Sequence, residues 1–461
     1  MPTESRLQAA LSRHLGSEVI PFERILQLFW PILFDTTMVA VMSMLSSSMV
    51  SSSGEAAVAA VNMVETVNLF VTNFYVAIAT GSTVVVAQYI GHKNHAAAGQ
   101  AIVQAVLSAA ALAIFVAACL IGFSQQVIGL LFGGAEPLVL GYGRTYLICC
   151  ALSYPLYSVF QVSLGALRGS GDTKASMMLS VMLNAVFLAG NFLLINICKL
   201  GVLGSGISLI FCRALLGVLS LGYLLKRRPD LQIKLKAFFR LDMAMQKRIL
   251  YIGLPTALEQ VFFHGGKIIT QTFIVALGTV SMTANAVANS IFNLTISPGN
   301  AINVLVVTVV GYCIGAGRPD EAKRLLVSLS IATSVIHVLL GLLLLPLLPV
   351  LIIPYHVSPE TGVHIMNCLK IVLLMIPLSW PYASLFPSGF RAAGDARFTS
   401  LTALVTMWVV RVTLGYLLAI NFNLGIEGVW LAMCIEWVVK SLVFLWRLRG
   451  DRWCRHKLIE N

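Results

Sequence analysis

The sequence predicts an all-α integral membrane protein, twelve transmembrane helices arranged as two pseudo-symmetric six-helix bundles. Three observations carry this. Only 11% of the 461 residues are charged and 58% are hydrophobic, whereas a soluble domain carries about 25% charged residues. The apolar residues fall in runs of about 20 or more, the length at which a helix rising about 1.5 Å per residue crosses a hydrocarbon core. The chain also repeats itself. Displaced by 224 residues, Pro31 falls on Pro255, Asp35 on Glu259, Gly54 on Gly278 and Gly91 on Gly315. Six spans per copy is an even number, so both copies enter from the same side, as a parallel repeat about an axis along the membrane normal.

The spans are placed at 25–51, 57–90, 98–122, 138–166, 174–197, 202–226, 249–276, 282–315, 324–352, 362–390, 398–420 and 426–448. Before them, 1–24 reads as a cytoplasmic arm without the pattern of a cleaved signal, so span 1 is expected to remain as an anchor. Span 1 holds Pro31 and Asp35 in the apolar run Phe29–Val50. Span 2 carries a polar stripe, Asn62, Glu65, Asn68 and Thr72, at helical spacing. Span 3 holds no charged residue. Span 4 runs into the loop Arg168-Gly169-Ser170-Gly171-Asp172, and span 5 places Asn184 and Asn191 seven residues apart on one face. Gly201 and Gly204 open span 6. The basic stretch 227–248 links the halves. Span 7 holds Pro255, Glu259, Gln260, His264 and Lys267. Span 8 repeats the stripe of span 2 without its charge, as Asn285, Asn289 and Asn293. Spans 9 and 10 follow, with His337 in the former, and span 10 ends in Arg391-Ala392-Ala393-Gly394-Asp395. Span 11 contains Trp408 to Arg411. Gly425 and Gly428 open span 12, which holds Glu436 and Lys440 in the favourable i,i+4 order. The lobes are set at 25–226 and 249–448, and 449–461 is a tail.

The net charge of +12 does not indicate nucleic acid, because the basic residues lie in alternate loops. The arm, the loops after spans 2, 4, 6, 8 and 10, and the tail hold them; among the opposite loops Lys199 is the exception. Positive residues stay in the cytoplasm, so both termini are expected inside. The nine cysteines lack paired metal spacing and read as small, reduced core residues.

Taken in order, these motifs resemble the multidrug and toxic compound extrusion (MATE) family of the MOP flippase superfamily, from about residue 25 to 448. The resemblance rests on the two repeats, on Leu164 to Lys174 and its partner Gly389 to Asp395, on Asn184 and Asn191, and on Trp408-Val409-Val410-Arg411 followed by Leu414 and Tyr416. It implies a V-shaped two-lobe antiporter that exports organic, often cationic compounds in exchange for Na⁺ or H⁺. The sequence departs from the family where ion ligands are usual. Ser46 stands fifteen residues after Pro31, Phe263 eight after Pro255, and Trp380 eleven before Arg391, at positions where branches of the family carry an acid.

A charge in hydrocarbon costs about 3 kcal/mol or more, so each intramembrane acid needs a partner, a proton or water. Asp35 sits roughly 15 Å into span 1, on the face of Ser46. Asp35 and Glu259 are read as the proton- or cation-coupling acids that replace the missing ones, with Na⁺ as a further candidate ligand. The alternative is that they are structural anchors paired with basic loop ends. Glu65, Asn62, Asn68, Asn184, Asn191, Gln260, His264, Asn289 and Asn293 are read as cavity residues. Glu436 with Lys440 reads as a self-neutralising pair, Arg411 as structural, and Asp172 and Asp395 as helix caps.

The expected function is a secondary antiporter exporting organic cations by alternating access, as a monomer, from a bacterial inner membrane, with no cofactor besides a transported Na⁺ or H⁺. The alternative is a lipid-linked oligosaccharide or polyisoprenoid flippase of the same superfamily. A membrane enzyme would need a nucleophile, metal or acid–base cluster such as His-Glu-x-x-His, and the sequence contains none.

Overall fold

A computed structural model of the chain describes residues 16–51, 55–132, 136–233, 237–238, 240–355 and 357–454. Gly54, the basic residues Arg6, Arg13, Lys234, Lys236, Arg455 and Lys457, and most of the arm and tail assigned from sequence lie outside the described residues. Twelve long helices follow one another: α1 Phe22–Ser51, α2 Glu55–Gly91, α3 His95–Gly122, α4 Pro137–Gly169, α5 Thr173–Asn191, α6 Gly201–Arg227, α7 Met243–Ala276, α8 Thr279–Gly315, α9 Pro319–Ile352, α10 Pro359–Ala392, α11 Ala396–Val405 and α12 Gly425–Arg449. A nine-residue helix, Ser124–Phe132, joins α3 to α4. No strand occurs among the described residues.

Ten helices are long and apolar enough to cross a membrane, among the described residues. The remaining two, α1 and α7, are 30 and 34 residues long and each contains a proline, Pro31 or Pro255. Two ends are wound more loosely. α5 continues as a π-helical stretch, Phe192–Ile197. α11 continues through Thr406–Val412 and Leu417–Asn421, both π-helical, with one α-turn between them. The stretch after α5 and the last one after α11 occupy matching places in the repeat.

The loops that carry the family motif turn on glycine. Gly171 has φ +77° and Gly394 φ +99°, a region that costs an L side chain about 1–2 kcal/mol. The two aspartates that follow act differently. Asp172 caps α5, accepting from the Ala175 amide at 3.1 Å, as expected. Asp395 makes no such cap. Arg447 takes its carboxylate instead, at 2.8 and 2.9 Å. The repeat counterpart of Arg447 is Tyr223, whose hydroxyl donates to Asp172 Oδ2 at 3.2 Å, beside Arg228 at 3.5 Å.

By mutual packing the chain divides into two compact units. One is Trp30–Ala257, here the N-terminal unit. The other comprises the described parts of Met1–Phe29 and Leu258–Asn461, here the C-terminal unit. The sequence sets lobe boundaries at 226 and 249; the units divide at 29/30 and 257/258, inside α1 and α7 and beside Pro31 and Pro255. In the N-terminal unit α4 is the central helix, packed on α2, α3 and α6, with Tyr75 against Tyr154 at 5.8 Å between ring centroids. The described part of the 227–248 stretch returns to α3, where Gln104 donates to the Arg240 carbonyl and accepts from the Asp242 amide. In the C-terminal unit α10 holds the equivalent place among α8, α9 and α12, with Phe390 packed on Phe386, Phe444 and Trp453. None of the nine cysteines is in a disulfide, and six are buried.

Candidate functional site: paired acids and two cavities

Pro31 leaves a gap in the hydrogen bonds of α1, and one turn later Asp35 points into the N-terminal unit, only 3% exposed. Its Oδ2 accepts from the Arg168 guanidinium at 2.8 Å. Arg168, at the end of α4, also donates from Nε to Ser176 on α5 at 3.0 Å. The second carboxylate oxygen, Oδ1, is buried with no hydrogen-bond partner among the described residues.

The C-terminal unit builds the same cluster. Glu259 Oε2 accepts from Arg391 at 3.0 Å and from the Ser400 hydroxyl at 2.9 Å. Arg391 also donates to Ser388 at 3.1 Å. Ser176 and Ser400 are 224 residues apart, like Asp35 and Glu259, while Arg168 and Arg391 are 223 apart. Each repeat thus joins one acid, one arginine from the motif loop and one serine from the helix after it. The alternative drawn from the sequence, acids paired with basic loop ends, is the pairing seen here, though the sequence named neither the two arginines nor the two serines as the partners. The shared offset was the available signal. Each carboxylate is neutralised by a guanidinium in this arrangement, and no group of three or more His, Cys, Asp or Glu residues suited to a metal occurs among the described residues.

Each unit also contains a cavity. That of the N-terminal unit has a volume of about 330 Å³ and is lined by Asn62, Glu65, Asn68, Asn184, Tyr157 and Arg213, with Val39 and Met42 of α1. Both Glu65 oxygens accept from the Asn68 amide, at 3.0 and 3.1 Å. Arg213 donates to Ser153 at 2.8 Å and lies 4.0 Å over the Tyr157 ring. The cavity therefore offers one acid, one base and aromatic surface. Asn191, expected on the same wall, is fully buried and does not line it.

The cavity of the C-terminal unit is about 250 Å³, lined by Lys267, Gln271, Asn285, Asn289, Trp430 and Arg411 among others. Of the residues expected in this half, Asn289 lines it. Gln260, His264 and Asn293 do not. Beside it Glu436, fully buried, pairs with Lys440 at 2.7 Å and with Arg411 at 3.5 Å. The expected self-neutralising pair forms, and Arg411 joins it. His337 is buried against Trp380 at 5.4 Å, its Nδ1 on the Thr333 carbonyl.

Comparison with known proteins places these features among transporters. The MatE family model matches residues 31–193 and 255–417, one match in each repeat. The uncharacterized transporter YisQ of Bacillus subtilis is 25% identical over 448 residues, covering 94% of this chain and 96% of the relative. A protein from Thermotoga maritima named as the probable multidrug resistance protein NorM is 22% identical over 387 residues, covering 82% and 81%. Among solved structures, a MOP superfamily transporter from Pyrococcus furiosus, described as having a binding pocket of reverse polarity, superposes with a TM-score of 0.86 at 18% identity, covering 94% of this chain and 97% of the other. An outward-facing multidrug resistance MATE transporter gives 0.85 at 18% identity, covering 94% and 96%.

Proposed function

From the premise that the chain belongs to the MatE family of membrane transporters, we propose that it exports organic compounds by alternating access, driven by an ion gradient that acts on Asp35 and Glu259. The observation that carries this reading is the duplicated acid–arginine–serine cluster. Each acid lies just after the proline of α1 or α7. Each proline breaks a backbone hydrogen bond, so α1 and α7 are the natural bending elements. Neutralising the carboxylate would release its arginine and change the packing of the bend.

The local charges favour H⁺ over Na⁺ as the driving ion. A metal cation on Asp35 would lie within a few ångströms of the Arg168 guanidinium and be repelled by it. A proton can enter on the bare Oδ1 and removes the charge that holds Arg168. In the N-terminal cavity, the Glu65 carboxylate suits an amine-bearing organic substrate. The cell membrane of a bacterium, with both termini on the cytoplasmic side, is the setting this reading assigns.

The test is transport in proteoliposomes under an imposed pH or Na⁺ gradient. The expected result is ethidium transport driven by the pH gradient, abolished in Asp35→Asn and in Glu259→Gln while both variants still insert. Normal export by either variant removes that acid from the coupling role.

A further inference from the structure

The C-terminal cavity differs from its N-terminal counterpart in sign. Two cationic side chains line it, Lys267 and Arg411, and no carboxylate does so among the described residues. Both cationic heads gather at one ring: the Lys267 Nζ is 5.3 Å and the Arg411 guanidinium carbon 6.0 Å from the centre of Phe263. The nearby acid, Glu436, is already shared between Lys440 and Arg411. Lys267 has no ion pair among the described residues, so the local balance is three cations to one anion.

The neutral groups of the wall are arranged to the same end. The Trp430 indole N–H can only donate, and it donates to the Asn285 side-chain oxygen at 3.2 Å. That bond fixes which end of the Asn285 carboxamide is oxygen. The same oxygen also accepts from Asn289 at 3.0 Å, and Asn285 in turn donates to the Gln271 oxygen at 3.4 Å. The Asn285 and Gln271 carboxamide oxygens are thus occupied within the wall. The Gln271 amide group is left as a donor among the described residues. Two like charges confined in low dielectric repel each other, and an anion among these donors would relieve that cost and make charge-assisted hydrogen bonds.

We propose that this cavity is an anion-binding site, which takes the carboxylate or phosphate group of an organic substrate on Lys267 and Arg411. The volume, about 250 Å³, lies below the range of drug-sized pockets. It fits an acidic head group with a few attached atoms, the remainder of the molecule lying outside. The proposal rests on the export reading for the origin of its ligand: the exported compounds include anions or zwitterions, and an anionic lipid head group is the other source of the same chemistry.

The experiment uses the full chain in phosphatidylcholine nanodiscs and four matched probes: phenyl phosphate, benzoate, benzyl alcohol and benzylamine, titrated by calorimetry. Phenyl phosphate and benzoate should each bind about ten-fold more tightly than benzyl alcohol, the worth of one added charge-assisted hydrogen bond. Lys267→Gln should remove that advantage, and Lys267→Arg should keep it. Lys267 is in no ion pair, so its loss strands no buried charge, and the benzyl alcohol titration reports that the variant remains folded. Replacing part of the lipid by phosphatidic acid separates the sources. Competition with phenyl phosphate assigns the site to a lipid head group; its absence assigns it to a soluble anion; both support an anion site. Benzylamine or benzyl alcohol binding as tightly as the anions overturns the proposal. So does anion binding that Lys267→Gln leaves unchanged. Transport is not read in this assay. A failed titration therefore leaves the export reading to its own test, and a chain that exports no ethidium leaves the titration standing.

Discussion

Asp35 keeps one oxygen on Arg168 and leaves the other bare in a buried site. Removing one partner of a buried ion pair strands the other charge and costs about 3–5 kcal/mol. Arg168→Gln should therefore lower the thermal unfolding temperature of the detergent-solubilised protein markedly. The double variant Asp35→Asn with Arg168→Gln should recover much of that loss, and additivity of the two single effects would show that the pair is not coupled. The same argument applies to Glu436, which holds both Lys440 and Arg411. Glu436→Gln should destabilise by about 3–5 kcal/mol, and Lys440→Met by less, since Arg411 remains to pair with the acid. Comparative thermal unfolding of the two variants checks the order. Asp35 and Glu259 were legible in the sequence because a lone acid in an apolar run is conspicuous and the repeat returns it. That basic loop ends could pair with them was legible too, but not which ones. Arg168 and Arg391 lie 133 and 132 residues away along the chain, and only helix packing decides which loop meets which span. At two positions where the family resemblance leads to the expectation of an acid, the side chains make other contacts. Phe263 faces Lys267 and Arg411, and Trp380 packs tilted against His337.

Helix ends and breaks set how these residues can move. Pro31 and Pro255 lie beside the places where the two compact units divide within α1 and α7. A proline inside a helix costs about 3 kcal/mol through its missing hydrogen bond and its ring clash. Pro31→Ala should accordingly raise the unfolding temperature and slow gradient-driven export, measured as initial rates in proteoliposomes. A faster rate would separate the bend from the transport step. The motif loops show how one pattern acquires two uses. Asp172 and Asp395 have the same sequence setting, yet Asp172 caps α5 while Asp395 is taken by Arg447. The partner on the last helix of the repeat also differs, Tyr223 in one and Arg447 in the other. The π-helical stretches after α5 and α11 were not legible either. One extra residue per turn leaves an apolar pattern almost unchanged, so composition carries no mark of it.

Across the whole molecule the repeat governs the layout and the side chains then break it. Each unit has one acid–arginine–serine cluster and a polar cavity, and these two cavities differ in charge, Glu65 with Arg213 in one and Lys267 with Arg411 in the other. A transporter with this division should lose ion coupling through substitutions at Asp35 or Glu259 and change its substrate range through substitutions in the cavities. The combined variant Asp35→Asn with Glu259→Gln should still bind ethidium in an equilibrium assay while transporting none; loss of binding along with transport would merge the two roles. The sequence by itself determined the class, the twelve helices, the duplication and the acids that need a partner. Each follows from a local cost, the exclusion of water from hydrocarbon, and such costs are written residue by residue. Tertiary structure alone decided that each acid meets an arginine, that Asp395 leaves its helix end, and that the two cavities carry different charge. These depend on contacts between distant spans, 52 residues apart for Asp395 and Arg447 and 133 for Asp35 and Arg168, and side-chain periodicity along one helix contains no information about which neighbour will face it.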